Sequence, residues 1–172
     1  MDARIVAEET LLLAGMSFYG DPFDTSDVWM SENQIGRLWE RFMAYLSAHP
    51  GEMGSFFLPG ASYEVHITGP ETEREGFFEV FVGLRVRNFD RLPVHLVGKI
   101  LPSVRYAVFT LEGEAIVRDW QQEIALWLSE HGLQQDHPYN FQLYDARFKG
   151  MDRLAESVVD VFIPVIACGR AD

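Results

Sequence analysis

The chain has a single cysteine, Cys168, close to its C-terminal end. No internal disulfide can form, which suits a reducing compartment. A nucleophilic thiol needs a base and an activating environment beside it, and the residues around Cys168 offer neither. Basic residues are also scarce. Fourteen Lys and Arg stand against 26 Asp and Glu, for a formal net charge of -12. A field of that sign repels a phosphate backbone, and no compact basic cluster offsets it, so direct nucleic-acid binding is not expected. No apolar run approaches the roughly 18 residues of a membrane-spanning helix, and the N-terminus lacks the basic and apolar runs of a secretory signal. The expected location is therefore the cytoplasm, with no membrane partner. The sequence holds no Walker loop, no dinucleotide-binding glycine pattern and no Gly-x-Ser-x-Gly elbow. His49, His66, His95, His131 and His137 form no tight ligand motif, so neither a metal nor a cofactor is expected.

What the chain does have is repetition. Its 172 residues are 48% hydrophobic, enough for one well-buried globular domain. A strand is expected from Ile5 to about Tyr19. A helix follows, capped by Ser31, with Ile35, Leu38, Trp39, Phe42, Tyr45 and Leu46 at helical spacing. It must stop before His49-Pro50-Gly51. Tyr63, Val65 and Ile67 alternate with Glu64, His66 and Thr68, the pattern of a strand with one wet face. Gly69-Pro70 opens a polar turn, and residues from Phe77 to Val86 read as another strand. The order then recurs. A strand from about Leu96 to Leu111 has an irregularity at Pro102, a helix runs from roughly Ile116 to Glu130, a short strand includes Phe141, Leu143 and Tyr144, and Val158 to Ala167 closes the chain. The reading is an α+β fold of two strand–helix–strand–strand repeats, about 1–90 and 91–172, with a hinge over Asn88–Pro93. A pseudo-twofold axis, helices on one side and a central ligand groove complete it.

Each repeat ends on an apolar strand interrupted by one acid, Glu79 in the first and Asp160 in the second. An ionised carboxylate is costly to bury without a partner. The two-residue period puts Glu79 on a face with Phe77, Phe81 and Arg85, and Asp160 on a face with Val158 and Phe162. Facing each other across a groove, the acids and aromatics would line one small-molecule pocket. Ordinary strand partners are the alternative for the acids. For Tyr63, Phe77, Phe81, Tyr106, Tyr144 and Phe162, pocket wall and plain core both remain open. Trp39, Trp120 and Trp127 have the spacing of core residues.

Several segments together resemble the GyrI-like small-molecule-binding family, related to the effector-binding domains of bacterial multidrug-responsive transcription activators. They are Leu101-Pro102 through Tyr106-Ala107-Val108-Phe109, Gly113, Trp127 to Gly132, Phe141 to Asp145, and Val159 to Val165, with Leu38-Trp39 in the first helix. The resemblance implies a pocket for planar, aromatic, often cationic compounds, with an acidic floor and aromatic walls. Asp160 matches an acidic position of the closing strand, and Phe162 takes the place of a frequent tyrosine. Gln142 stands where many relatives carry glutamate before the strand's tyrosine, here Tyr144, which removes one countercharge. The implied ligand-binding set is Asp160, Glu79, Phe77, Phe81, Tyr63, Tyr106, Gln142, Tyr144 and Phe162. Two other functions are compatible with the family. One is hydrolysis of electrophilic cyclopropane-containing compounds, with Glu79 or Asp160 orienting water and Tyr106 or Tyr144 holding substrate. The other is a gyrase-directed or other protein-interaction module, with a homodimer also open.

Overall fold

The computed structural model describes residues 3–23 and 33–168. The strands are β1 (Ala3–Ala7), β2 (Leu11–Gly20), β3 (Phe57–Ile67), β4 (Phe78–Val86), β5 (Val97–Leu101), β6 (Arg105–Glu112), β7 (Leu133–Gln135), β8 (Tyr139–Tyr144) and β9 (Val158–Ala167). The helices are α1 (Gln34–Ala48), the short α2 (Pro70–Glu75) and α3 (Gln121–Glu130). The strands run β1-β6-β9-β8-β3-β4-β2-β5 across one antiparallel sheet, with β7 added to the end of β9. From the centre outward, β3-β4-β2 on one side mirrors β8-β9-β6 on the other. The strand–helix–strand–strand order expected from the sequence thus meets itself at the β3–β8 ladder, where Glu64 lies opposite Gln142.

The long first strand of the sequence reading is in fact two. Glu8–Thr10 breaks it, and β1 and β2 go to opposite ends of the sheet. The same happens at Pro102–Val104, between β5 and β6. Three residues span about 14 Å at most, so each link forces the two ends of the sheet toward each other. The links are tied together: Glu8 N–H donates to the Val104 carbonyl at 3.2 Å, and the Ser103 hydroxyl donates to the Glu8 carbonyl at 2.9 Å. The sheet therefore curls into a deep trough. Its inner face closes over Leu11, Leu13, Val65, Phe81, Tyr106, Val108, Phe141 and Phe162, which form one cluster drawn from both halves.

The outer face carries α1 and α3. Asn33 caps α1, accepting from Gly36 N–H at 2.9 Å, whereas Ser31, the cap expected from the sequence, lies outside the described residues, as does Trp29. Ile35, Leu38, Phe42 and Tyr45 bury the apolar stripe of α1 against Ala14, Val80, Val82 and Leu84. The second helix is shorter than its apolar spacing suggested. Gly113–Ile116 forms a 3-10 turn, and α3 begins only at Gln121. Asp119 explains the interruption: its carboxylate accepts from Gln121 N–H at 3.0 Å, which favours a turn over a continuous helix. Ile124 and Leu128 then pack on Phe109, Val161 and Val165.

Gly15 of β2 lies opposite Gly83 of β4. A Cβ at Gly15 would meet the Val82 carbonyl oxygen at 1.9 Å and the Gly83 Cα at 2.6 Å. These are backbone atoms, so no rotamer change relieves the clash. Gly15→Ala is expected to cost about 1–3 kcal/mol, read as a lower urea midpoint with native-like far-UV circular dichroism.

Candidate ligand-binding cleft

The nine residues implicated from the sequence divide between the two faces of the sheet. Tyr63, Phe81, Tyr106 and Phe162 lie in the inner trough and fill it with each other and Phe141. Phe141 stacks on Phe162 at 4.4 Å between ring centroids, and Tyr106 meets both edge-on. The Tyr106 and Tyr139 hydroxyls bond at 2.6 Å. Burial raises the Tyr106 phenol far above its ordinary value, and the bond to Tyr139 adds to the shift. Tyr106→Phe leaves the Tyr139 hydroxyl without this partner. It is expected to cost about 1 kcal/mol, read by chemical denaturation.

The acids Asp160 and Glu79 share that inner face and do not converge. In the ladders Asp160 is level with Leu143, Tyr63 and Gly83, three strands across from β4 and four residues along it from Glu79. Strand spacing and rise separate them by roughly 20 Å measured along the sheet, and each has its own partners. Glu79 pairs with Lys99 at 2.8 Å, each side chain one-quarter exposed. Phe77 is exposed and meets Tyr19 edge-on at the start of β4. Asp160 is 3% exposed. It accepts from Thr110 at 2.6 Å, Arg147 at 2.8 Å and Arg4 at 3.0 Å. Burial works to raise its pKa, but the hydrogen bonds from Arg147, Thr110 and Arg4 more than offset this, and the carboxyl sits below its ordinary value. Its charge is already answered by two guanidiniums.

Gln142 and Tyr144 point the other way, to the helix side. There the structure assembles a second polar group around an acid read from sequence as facing water. Glu64 is 0% exposed. Its position on β3 places it beneath α1, where the Trp39 indole N–H donates to Oε2 at 2.5 Å. Its Oε1 meets His66 Nε2 at 2.8 Å and the Gln142 amide nitrogen at 3.4 Å. Tyr144 donates to Gln142 Oε1 at 2.9 Å and packs edge-on against Trp39. Burial raises the Tyr144 pKa well above its ordinary value, and the adjacent Glu64 charge adds to that. Among the described residues, no Lys or Arg lies within salt-bridge distance of Glu64.

Above this group opens a cleft of about 330 Å³, at the small end of the range for ligand sites. His66, Phe78 and Gln142 form its sheet wall. Ile116 and Trp120 form the opposite wall, which is the interruption between the 3-10 turn and α3. Arg118 and Asp119 stand at the rim; Arg118 is tied to Glu123 at 3.1 Å and Asp119 caps Gln121. Gln142 brings the cleft to the ladder where the two halves of the sheet meet, and Glu64 lies opposite Gln142 behind His66. The sequence reading missed Glu64, His66 and the polar role of Trp39. A signal was present: a buried indole N–H requires an acceptor, and Glu64 occupies in the first half the place that Gln142 occupies in the second.

The sequence profile of the GyrI-like small molecule binding domain matches residues 1–166. The chain belongs to that family. The transcriptional regulator BrlR of Pseudomonas aeruginosa is 32% identical over 169 residues, which are 96% of this chain and 56% of the regulator. The chain thus spans little more than half the length of that relative. Among solved structures, SAV2435 bound to tetraphenylphosphonium shares the fold at a TM-score of 0.67 and 16% identity, over 96% of this chain and 94% of that one. EcmrR in its DNA complex shares it at 0.68 and 13% identity, over 96% of this chain and 57% of EcmrR. A hydrolase from Listeria innocua shares it at 0.55 and 11% identity, over 95% of this chain and 91% of that one. The α+β architecture and the small-molecule-binding character of the GyrI-like domain follow from these matches. Among the described residues no helix is long and apolar enough to cross a membrane, and no group of His, Cys, Asp or Glu is placed to hold a metal.

Proposed function

We propose that this GyrI-like domain binds a planar aromatic cation in the helix-side cleft, with Glu64 as the countercharge. The observation that carries this reading is a fully buried carboxylate with no Lys or Arg partner among the described residues, set under a cleft walled by Phe78 and Trp120. A cation entering the cleft would supply the missing charge, and the aromatic walls would add stacking and cation–π attraction. Gln142 and Tyr144 hold the second hydrogen-bonded layer under the ligand. Tetraphenylphosphonium, the ligand of SAV2435, is a tetrahedral aromatic cation without an N–H; it supports positive charge and aromatic groups in the ligand, and neither planarity nor a donor. In this reading Asp160 and Glu79 hold the sheet together, and Tyr63, Phe81, Tyr106 and Phe162 shape the trough beneath it.

Calorimetric titration with planar dyes matched in shape, one cationic and one neutral, tests the proposal. The cation is expected to bind at least about tenfold more tightly, since a charge-assisted contact contributes about 1.5–3 kcal/mol. Equal affinities would remove the electrostatic role of the cleft. Incubation with an electrophilic cyclopropane-containing compound reads the hydrolytic alternative, because a ring-opened product would show turnover.

A further inference from the structure

The donor that Glu64 now has in the cleft is itself a planar aromatic ring bearing an N–H. His66 Nε2 meets Glu64 Oε1 at 2.8 Å, and the imidazole lies 5.4 Å from the Phe78 ring, tilted by 52°. His66 lines the cleft and keeps 13% of its side chain exposed, so it stands between the carboxylate and an incoming ligand. The other contact to Oε1, from Gln142, is long at 3.4 Å. Directly opposite His66 in the ladder, on the same face, is Asn140. Its Oδ1 is buried without a hydrogen-bond partner among the described residues. A buried acceptor left unpaired is costly. At the cleft, therefore, Glu64 Oε1 is served by a displaceable ring, and the unpaired Asn140 Oδ1 lies beside that ring in the sheet. Oε1 calls for a donor, and positive charge alone does not satisfy it fully.

We propose that the cleft selects planar cations whose charge is carried on an N–H, and that this N–H replaces the His66 ring on Glu64 Oε1. The inference rests on the cleft being a cation site and narrows its ligand class to protonated heteroaromatic amines and amidinium-type groups. Fully substituted onium ions of the same size have the charge and lack the donor. They leave Oε1 facing carbon. His66 in the unliganded domain is then an internal stand-in for the ligand, shielding Glu64 until a better donor arrives.

Acridine orange and its 10-methyl derivative are a suitable probe pair. At neutral pH both are planar monocations; the first carries a ring N–H where the second carries a methyl group. Fluorescence titration of the wild-type domain is expected to show acridine orange binding about tenfold or more tightly. Glu64→Gln should weaken acridine orange and bring the two dyes to within about twofold of each other, because the removed interaction is the one that separates them. His66→Ala should tighten acridine orange several-fold, since no ring then has to be displaced.

Equal wild-type affinities, with both dyes weakened by Glu64→Gln, would overturn the N–H requirement and leave the cation site standing. A preference that persists undiminished in Glu64→Gln would trace it to the bulk of the methyl group and overturn the inference as well. Weaker acridine orange binding to a folded His66→Ala domain would make His66 a ligand contact and end the stand-in role. Failure of both dyes to bind, or binding indifferent to Glu64→Gln, would remove the cleft reading and this inference with it.

Discussion

Glu64→Gln is expected to lower affinity for a planar aromatic cation by about 10- to 100-fold and to leave a neutral dye of the same shape within about threefold. The range follows from losing a charge-assisted contact of about 1.5–3 kcal/mol. The glutamine side chain keeps the volume and an acceptor for the Trp39 indole N–H, so packing beneath α1 changes little. Folding should respond in the opposite direction. A carboxyl at 0% exposure, held by Trp39, His66 and Gln142 with no Lys or Arg beside it among the described residues, contributes little to folding relative to its amide. The urea midpoint of Glu64→Gln is expected to stay level or rise. Weaker binding with undiminished stability is the signature of an acid retained for its ligand. A Glu64→Gln domain that unfolds more easily and binds as before would show a structural acid. Glu79→Gln is the matched control. Its carboxylate is partly exposed and paired with Lys99, and its removal should leave cation affinity unchanged.

Asp160→Asn should behave in the reverse manner, destabilising the fold by about 1–3 kcal/mol and changing dye affinity by less than about twofold. Removing one member of a buried ion pair costs about 3–5 kcal/mol when both partners are enclosed. Here Arg4 and Arg147 are 52% and 43% exposed, and water screens what they lose, so the lower range applies. Arg147 also keeps Asp145 at 2.9 Å. The pH dependence has a definite sign. The Asp160 carboxyl sits below its ordinary value in the folded chain. Its contribution is therefore fully present above the unfolded value, about 4, and is lost as the pH falls through the folded one. Wild-type stability should drop across that acid window by more than that of Asp160→Asn, and the two urea midpoints should approach each other at the acid end. Parallel midpoints from neutral to acid pH would mean that the charge of Asp160 contributes nothing to folding.

The contrast between these acids also shows which parts of the molecule are legible in the chain. Period-two alternation places Val80, Val82 and Leu84 on the helix side and Glu79 and Phe81 on the other, as the two core clusters have it. It does the same for Val161 against Asp160 and Phe162. These are local properties of a strand and need no knowledge of its neighbours. Curvature is not local. Three-residue links at Glu8–Thr10 and Pro102–Val104 close the sheet, and closure packs Tyr63, Phe81, Tyr106 and Phe162 together in the trough. Glu64 reads as part of a wet face because strands with alternating polar residues usually have one. The cover that α1 lays over it is a tertiary event that the alternation of Tyr63, Val65 and Ile67 cannot report. Asp160 stands out as an isolated acid in an apolar strand, yet Arg4 reaches it from 156 residues away. A buried acid in sequence does not disclose whether its partner is a side chain or a ligand.

Glutamine at position 142 reads differently with the cleft in view. The resemblance to relatives implies a lost countercharge. The structure holds a carboxylate directly across the ladder, on Glu64, with the Gln142 amide turned toward it.

The most direct test is a proton–nitrogen correlation spectrum of the indole and backbone amide regions during titration with acridine orange. The Trp39 N–H is bonded to Glu64, and Trp120 walls the cleft, so both signals report on the proposed site and neither on the inner trough. The expected result is saturable movement of the Trp39 and Trp120 indole signals with one dissociation constant, abolished in Glu64→Gln. Binding that leaves both indole signals in place, with shifts confined to the backbone amides around Asp160 and Glu79 in the same spectrum, would contradict the helix-side site.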